Sequence, residues 1–498
     1  MRTVRAVALV GLASLMAGGS FAQTSEASAD GLSSRPTQVR VNFESVALPG
    51  DERMGLLGTS YLIEFGRGLS AGPAVYGAIA GQRGGLFTIG AELNWQRRLS
   101  GPLWLDLGYY AGGGGGGAAP VGGGLMLRPH ADLLWDFGGF RAGLSLSQVR
   151  FANGQIDSRQ LGLVASVPTN FRYVAADRLD APVSGRAGTG LGFDRVQAVV
   201  AVLRPPSDAR RTGGGSLPAN IGLVGVRAEQ ALGKHVYWGV EAAGAASGGV
   251  AGYAEYLATL GAESGYWQGN LVLGARAAAG MGGGGEVPVG GGLLLKGSAY
   301  GIVRLSDVLG LTLEGGVMKA PQGELTAPFA SASLLWVLED RFDAGQSALA
   351  TRTEWILGLE RYEAARRDGS ERTLDAVVLK INRFLSPHFY LTGQAHSALS
   401  GGAGGYSVGL FGLGVQTPLG ARFHAGAELL AGAAGGGGVD TTGGFVVQPM
   451  AYVGWQATPA IALRLGAGKI ATRQGPLDNP VVELSLAFTF GVASGGRP

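Results

Sequence analysis

The sequence predicts an all-β protein: a transmembrane antiparallel up-and-down β-barrel of about 24 strands, built from three homologous eight-strand modules. Three observations lead there. A glycine run followed by an apolar strand occurs three times in register. Short stretches of alternating apolar and polar residues fill the chain between these runs. The connections fall into a tight set and a longer, polar set.

The glycine runs are 112–117, 282–285 and 435–438. The first two lead through Pro-Val (120–121 and 288–289) into Gly-Gly-Gly followed by three apolar residues. The third passes through Asp440 and two threonines into Gly443-Gly444-Phe445-Val446-Val447. Aligning Leu125, Leu293 and Phe445 brings Trp135, Val303 and Trp455 into step downstream. Upstream, with a short gap in the first copy, 105–108 meets 271–274 and 423–426. One module has been copied twice.

The chain has 498 residues, 91 glycines, no cysteine and only 15% charged residues. Glycine at this density without a Gly-X-Y period excludes collagen, and 46% hydrophobic content argues against disorder. The lack of cysteine excludes disulfides, thiolate metal sites and a lipidated N-terminal cysteine. Arg2 and Arg5, the uncharged stretch 6–17 and the small residues flanking Phe21 form a signal peptide, 1–22, with Gln23 as the mature start. Losing Arg2 and Arg5 leaves a nearly neutral chain, so no nucleic-acid partner is expected. Stretches 107–127, 397–421 and 441–463 are long enough to suggest membrane helices. Glycine or proline breaks each one, and each alternates in character, so they read as strands.

In order, 23–38 is a polar, flexible N-terminal lead, and 39–170 is β module 1. The period of two is clearest where Phe87, Ile89, Ala91, Leu93 and Trp95 share one face, with Thr88, Gly90, Glu92, Asn94 and Gln96 opposite. A periplasmic linker, 171–193, leads to module 2 (194–342); module 3 (343–490) and a C-terminal tail (491–498) follow. Tight connections such as 100–102, 138–139 and 306–307 alternate with longer ones such as 47–53, 205–218 and 320–326. Short turns on one rim and long loops on the other are the asymmetry of a membrane-spanning barrel. Glycine weakens strands, so its abundance predicts relief of lumenal crowding, sharp coiling, or loops that fold back closely; these alternatives stay open.

In the last strand Leu484, Leu486, Phe488 and Phe490 alternate with Glu483, Ser485, Ala487 and Thr489. Ending on such an aromatic, the chain resembles the outer-membrane β-barrel proteins of Gram-negative bacteria as a class, apart from the tail that follows. The resemblance implies an outer-membrane location, contact with its lipid bilayer and lipopolysaccharide, and insertion by the barrel-assembly machinery. A closed sheet is also the one way strands satisfy their backbone in hydrocarbon. Outward aromatics expected at the membrane interfaces are Trp95, Trp135, Tyr109, Trp455, Phe488 and Phe490.

Inward faces supply the candidate pore-lining residues. These are Glu92, Asn94, Asp106, Arg128, His130 and Asp132 in module 1, Arg276, Lys296, Tyr300 and Arg304 in module 2, and Gln448 and Tyr452 in module 3. Such residues line a pore and set its charge preference, or they bridge neighbouring strands as a structural network; both uses share this pattern. His130 with Asp132 is the best-placed acid–base pair, yet no other module repeats it. No catalytic residue, metal site or cofactor is therefore assigned. The G-x-S-x-G matches at 68–72 and 405–409 lack a strand-to-helix turn. The function expected is a single wide pore for passive passage or export of a polar solute or polymer, because sequential hairpins then close every edge once. The alternative is a structural or adhesive protein of three tandem filled barrels, favoured by inward Trp104, Tyr110, Met126 and Leu134. A lipid-modifying enzyme is a third reading, and a periplasmic or secreted-polymer partner is left unidentified.

Overall fold

A computed structural model describes residues 32–179, 182–183, 190–265, 270–338 and 348–494. The expected signal peptide and most of the lead lie outside the described residues.

The first barrel comprises β1 (Ser33–Ala47), β2 (Arg53–Gly66), β3 (Leu69–Ala80), β4 (Phe87–Ser100), β5 (Leu103–Gly115), β6 (Met126–Asp136), β7 (Arg141–Phe151) and β8 (Asp157–Tyr173). A two-residue strand, β9 (Pro182–Val183), lies in the connection to the second barrel. That barrel comprises β10 (Arg195–Leu203), β11 (Ile221–Ala231), β12 (Val236–Ser247), β13 (Ala254–Glu263), β14 (Leu271–Gly283), β15 (Leu293–Arg304), β16 (Leu309–Lys319) and β17 (Thr326–Val337). The third comprises β18 (Ala348–Ala365), β19 (Glu371–Phe384), β20 (Phe389–Ala398), β21 (Ser407–Pro418), β22 (Phe423–Gly435), β23 (Phe445–Thr458), β24 (Ile461–Thr472) and β25 (Asp478–Ser494). β1 begins inside the stretch read as a lead, and β25 runs on into the stretch read as a tail.

Three modules of eight antiparallel strands are present, and each closes on itself. Val39 of β1 pairs with Tyr61 of β2 and with Val167 of β8. Val199 of β10 pairs with Gly225 of β11 and Ser333 of β17. Leu357 of β18 pairs with Leu379 of β19 and Leu486 of β25. The single wide barrel favoured on sequence therefore does not form. The physical reason is the lumen, where inward side chains reach one another across a narrow bore, as eight strands allow and 24 do not. Arg40 on β1 donates to Asp106 on β5 at 2.9 Å, and Arg227 on β11 to Glu314 on β16 at 2.9 Å.

Apart from the connection 264–270, the longer loops leave the first, third, fifth or seventh strand of a module, so they share one rim, opposite the tight turns. The connection between the first two barrels is tied to the third. Val174 and Gly491 exchange backbone hydrogen bonds of 2.9 and 2.8 Å, and Pro182 and Val183 pair with Leu349 and Ala348.

Candidate functional site: three closed lumens and the seams between them

Each lumen has an apolar plug at the long-loop end. In the first barrel Leu48, Leu86, Val121 and Ile156, one from each loop, turn inward over Tyr110, Met126 and Phe151. In the second, Val250, Val287, Val289 and Leu325 cover Leu223, Leu294 and Met318. In the third, Ala403, Val439 and Leu477 cover Leu410 and Leu430. Burying each large side chain contributes roughly 1.5–3 kcal/mol, so the plugs also anchor the loops.

Beneath the plugs lies a layer of paired charges. Arg128, 1% exposed, donates to Glu44 at 2.8 and 3.2 Å and to the Tyr76 hydroxyl at 3.3 Å. Arg40 joins Asp106 and Asp132, and Asn94 donates to Asp106 at 3.4 Å. His130 sits between Glu92 (3.3 Å) and Asp132 (3.1 Å). In the second barrel Arg276 bridges Glu229 (2.9 Å) and Glu314 (3.3 Å) with its guanidinium over the Tyr300 ring. Lys296 bridges Glu241 and Glu255, and the Tyr300 hydroxyl donates to Glu263 at 3.3 Å. In the third, Gln448 donates to Glu360 at 2.8 Å, Tyr452 to Gln416 at 3.1 Å, and Arg464 to Glu354 at 2.7 Å. Charges this deep are tolerable because each meets an opposite partner.

The inward residues named from the sequence thus lie in these layers, with one exception. Arg304 sits at the turn rim, where it pairs with Asp307 and donates to the Ser306 carbonyl at 3.3 Å. Sequence reasoning passed over Arg40, Glu44, Arg227, Glu229, Glu241, Glu354, Lys380 and Glu428, which share the work. Their signal was available as charges at alternate positions within strands whose other face is Leu, Val or Ala.

Glycine supports the lumen in one recurring way. Gly108 pairs with His130 across β5 and β6, Gly274 with Tyr300 across β14 and β15, and Gly426 with Tyr452 across β22 and β23. At each glycine a Cβ would strike the ring of that partner. His130 therefore fills the slot that a tyrosine ring fills in the other two barrels.

A second use of glycine lies between barrels. The loop after the third strand of each module meets the glycine hairpin of another. Gly84 donates its N–H to the Gly290 carbonyl at 2.9 Å, from barrel one to barrel two. Gly404 and Gly405 donate to the carbonyls of Gly122 and Gly114 at 2.9 and 3.1 Å, from barrel three to barrel one. Between barrels two and three, a Cβ on Gly252 would lie 2.7 Å from the Gly436 nitrogen. One head-to-tail contact made three times closes a ring within a single chain.

Outward faces divide accordingly. Away from the seams they expose Leu144, Leu161 and Leu163 in barrel one, Leu311 and Leu313 in barrel two, and Leu465 and Leu484 in barrel three. Tyr109, Trp135 and Trp455 are exposed among them, while Trp95 and Phe488 are half-buried. Phe490 differs from the expectation of an interfacial aromatic. It is buried between barrels one and three, 5.2 Å from Phe171 and 5.5 Å from Trp355 between ring centres.

No family model matches the sequence, and no curated protein matches it. Among solved structures, the chain is similar to the ferric enterobactin receptor of Pseudomonas aeruginosa at 10% identity and a TM-score of 0.28, covering 91% of this chain and 81% of that one. It is similar to OccK11 of the same organism at 12% identity and a TM-score of 0.21, covering 92% and 96%. A third, the outer membrane channel DcaP of Acinetobacter baumannii, stands at 12% identity and a TM-score of 0.19, covering 93% and 99%. These neighbours are Gram-negative outer-membrane β-barrel proteins, the class that the sequence resembles.

Proposed function

We propose that this chain is a structural protein of the outer membrane: three sealed barrels, clasped rim to rim and held in the bilayer as one body. The observation that carries this reading is the triple apolar plug, since each lumen is stopped at the loop end by side chains buried from solvent. The belts of exposed leucine support a lipid environment, because closed barrels satisfy their backbone without water. The bilayer, its lipopolysaccharide and the barrel-assembly machinery are the partners this reading requires. This reading assigns no catalytic role; the best-placed acid–base pair, His130 with Asp132, is buried beside Glu92 in the charge layer.

A second reading, passage of small polar solutes, is favoured by the polar charge layers under the plugs. Conductance of the refolded chain in a planar bilayer separates the two. Silence, with heat-dependent gel migration showing folded barrels, supports the sealed body. Uniform steps, or three correlated levels, overturn it in favour of passage.

A further inference from the structure

The opposite end of barrel one is open. At the tight-turn rim a cavity of about 560 Å3 lies below the charge layer, bounded by β1 to β5, β7 and β8. That volume suits a small molecule of sugar size. We infer that this mouth is a binding site for a small anionic solute carrying one oxyanion group on a hydroxyl-bearing body, such as a sugar phosphate.

Charge is the first argument. Arg67, Arg97, Arg98 and Arg141 line the cavity with a single acid, Glu64. Arg67, Arg97 and Arg98 form no ion pair among the described residues. Guanidinium groups bind oxyanions in bidentate fashion, and several together select a phosphate over a neutral group. Arg141 is already positioned: it stacks 3.6 Å over the Trp104 ring and donates to Gln96 at 2.9 Å and to Asp136 at 3.2 Å.

Gln38 is the second argument. It lines the same cavity and is only 4% exposed, yet neither atom of its side-chain amide has a protein partner. A buried primary amide without partners is costly, because neither its donor nor its acceptors recover the hydrogen bonds lost with water. A ligand hydroxyl, both donor and acceptor, satisfies it, which is why the body of the ligand is assigned hydroxyls.

The turn itself is the third. Arg67 lies in the left-handed region at φ 56°, beside Gly68 at 76°. Glycine or asparagine would hold that position with less strain. Keeping an arginine there places a cation on the lip of the cavity, with Glu64 fixing the turn through the Gly68 N–H at 3.1 Å.

The test is calorimetric titration of the folded full chain in non-ionic detergent with glucose 6-phosphate, glucose and inorganic phosphate. Glucose 6-phosphate is expected to bind saturably, with the other two at least about tenfold weaker and affinity falling as salt rises. Arg97→Ala with Arg98→Ala should weaken glucose 6-phosphate about tenfold or more while heat-dependent gel migration stays unchanged. Gln38→Leu should weaken glucose 6-phosphate and leave phosphate alone unaffected. Absence of saturable binding, equal binding of glucose, or full affinity in the arginine variant overturns the proposal. None of these outcomes depends on whether the lumens conduct.

Discussion

The inside of each barrel and the seams between barrels are built from opposite materials. Inside, long charged side chains span the bore: Arg128 to Glu44, Arg227 to Glu314, Arg464 to Glu354. At the loop rim of the seams backbone meets backbone, at Gly84 and Gly290 or at Gly404 and Gly122, with uncharged aromatic pairs such as Phe87–Tyr256, Phe171–Phe490 and Trp336–Phe411 elsewhere between the barrels. The two regions should therefore fail in opposite ways. A lumen is broken by taking atoms away, a glycine clasp by adding them.

The largest effect is expected in the lumen. Arg128→Ala strands Glu44 in a site where both side chains are 1% exposed. Leaving a buried charge without its partner costs about 3–5 kcal/mol. Urea titration of folding into phosphatidylcholine vesicles should show that loss. Replacing both members, Arg128→Met with Glu44→Leu, should recover most of it, since an apolar pair leaves no charge to solvate. A double variant as unstable as the single one would mean that the layer is held by shape and not by charge.

Next comes the face that touches neither region. Leu163 on β8 is 61% exposed, beside Phe43 and Leu144 on the neighbouring strands. Leu163→Arg should destabilise the protein by about 2–4 kcal/mol in vesicles if that strand crosses the bilayer near its centre. In detergent, where the arginine head reaches water, the loss should shrink. Equal losses in both media would remove Leu163 from the lipid-facing belt.

The modules, the alternation and the two rims were legible in the sequence, because a strand with one wet and one dry face must alternate. Closure was not. One 24-strand barrel and three eight-strand barrels use the same strands and hairpins, and differ only in whether β8 pairs with β1 or with the next module. The pointer lay in inward bulk such as Tyr110 and Met126, which are completely buried and would crowd no wide pore. The lumenal residues were largely legible through parity. The mouth residues Gln38 and Arg67 were not, since neither their shared cavity nor the missing partners of an amide exist before the barrel closes. Nor could sequence say why glycine is so frequent, because the atoms that exclude a Cβ belong to a neighbouring strand or to another module.

At a seam, Gly84→Val adds atoms where a Cβ would lie 2.6 Å from the Gly290 carbonyl oxygen and 2.7 Å from a Val289 methyl. Overpacking of this kind costs about 1–3 kcal/mol. The loss should appear as separation of barrels one and two, with each barrel intact. The chain has no native cysteine, so spin labels on introduced cysteines, one in each barrel, report that distance directly. A lengthened or broadened distance with unchanged gel migration is expected. Global unfolding would instead make the seam part of the folding of the barrel itself.

The smallest effect turns on the same residue type in a third setting. Gly297 on β15 faces outward, has no positive φ, and a Cβ there would meet nothing within 4 Å. Gly297→Ala therefore removes unfolded-state freedom without a clash and should stabilise the protein by about 0.4–1 kcal/mol. Its partner in contrast is Gly274, one strand away, where a Cβ would enter the Tyr300 ring. Urea midpoints should move up for Gly297→Ala and down for Gly274→Ala. If both move down, glycine in these strands serves the curvature of the sheet and not the close approach of particular atoms. Opposite signs would assign each glycine to the neighbour it makes room for: a tyrosine in the lumen, a backbone at the seam, or nothing at all on the lipid face.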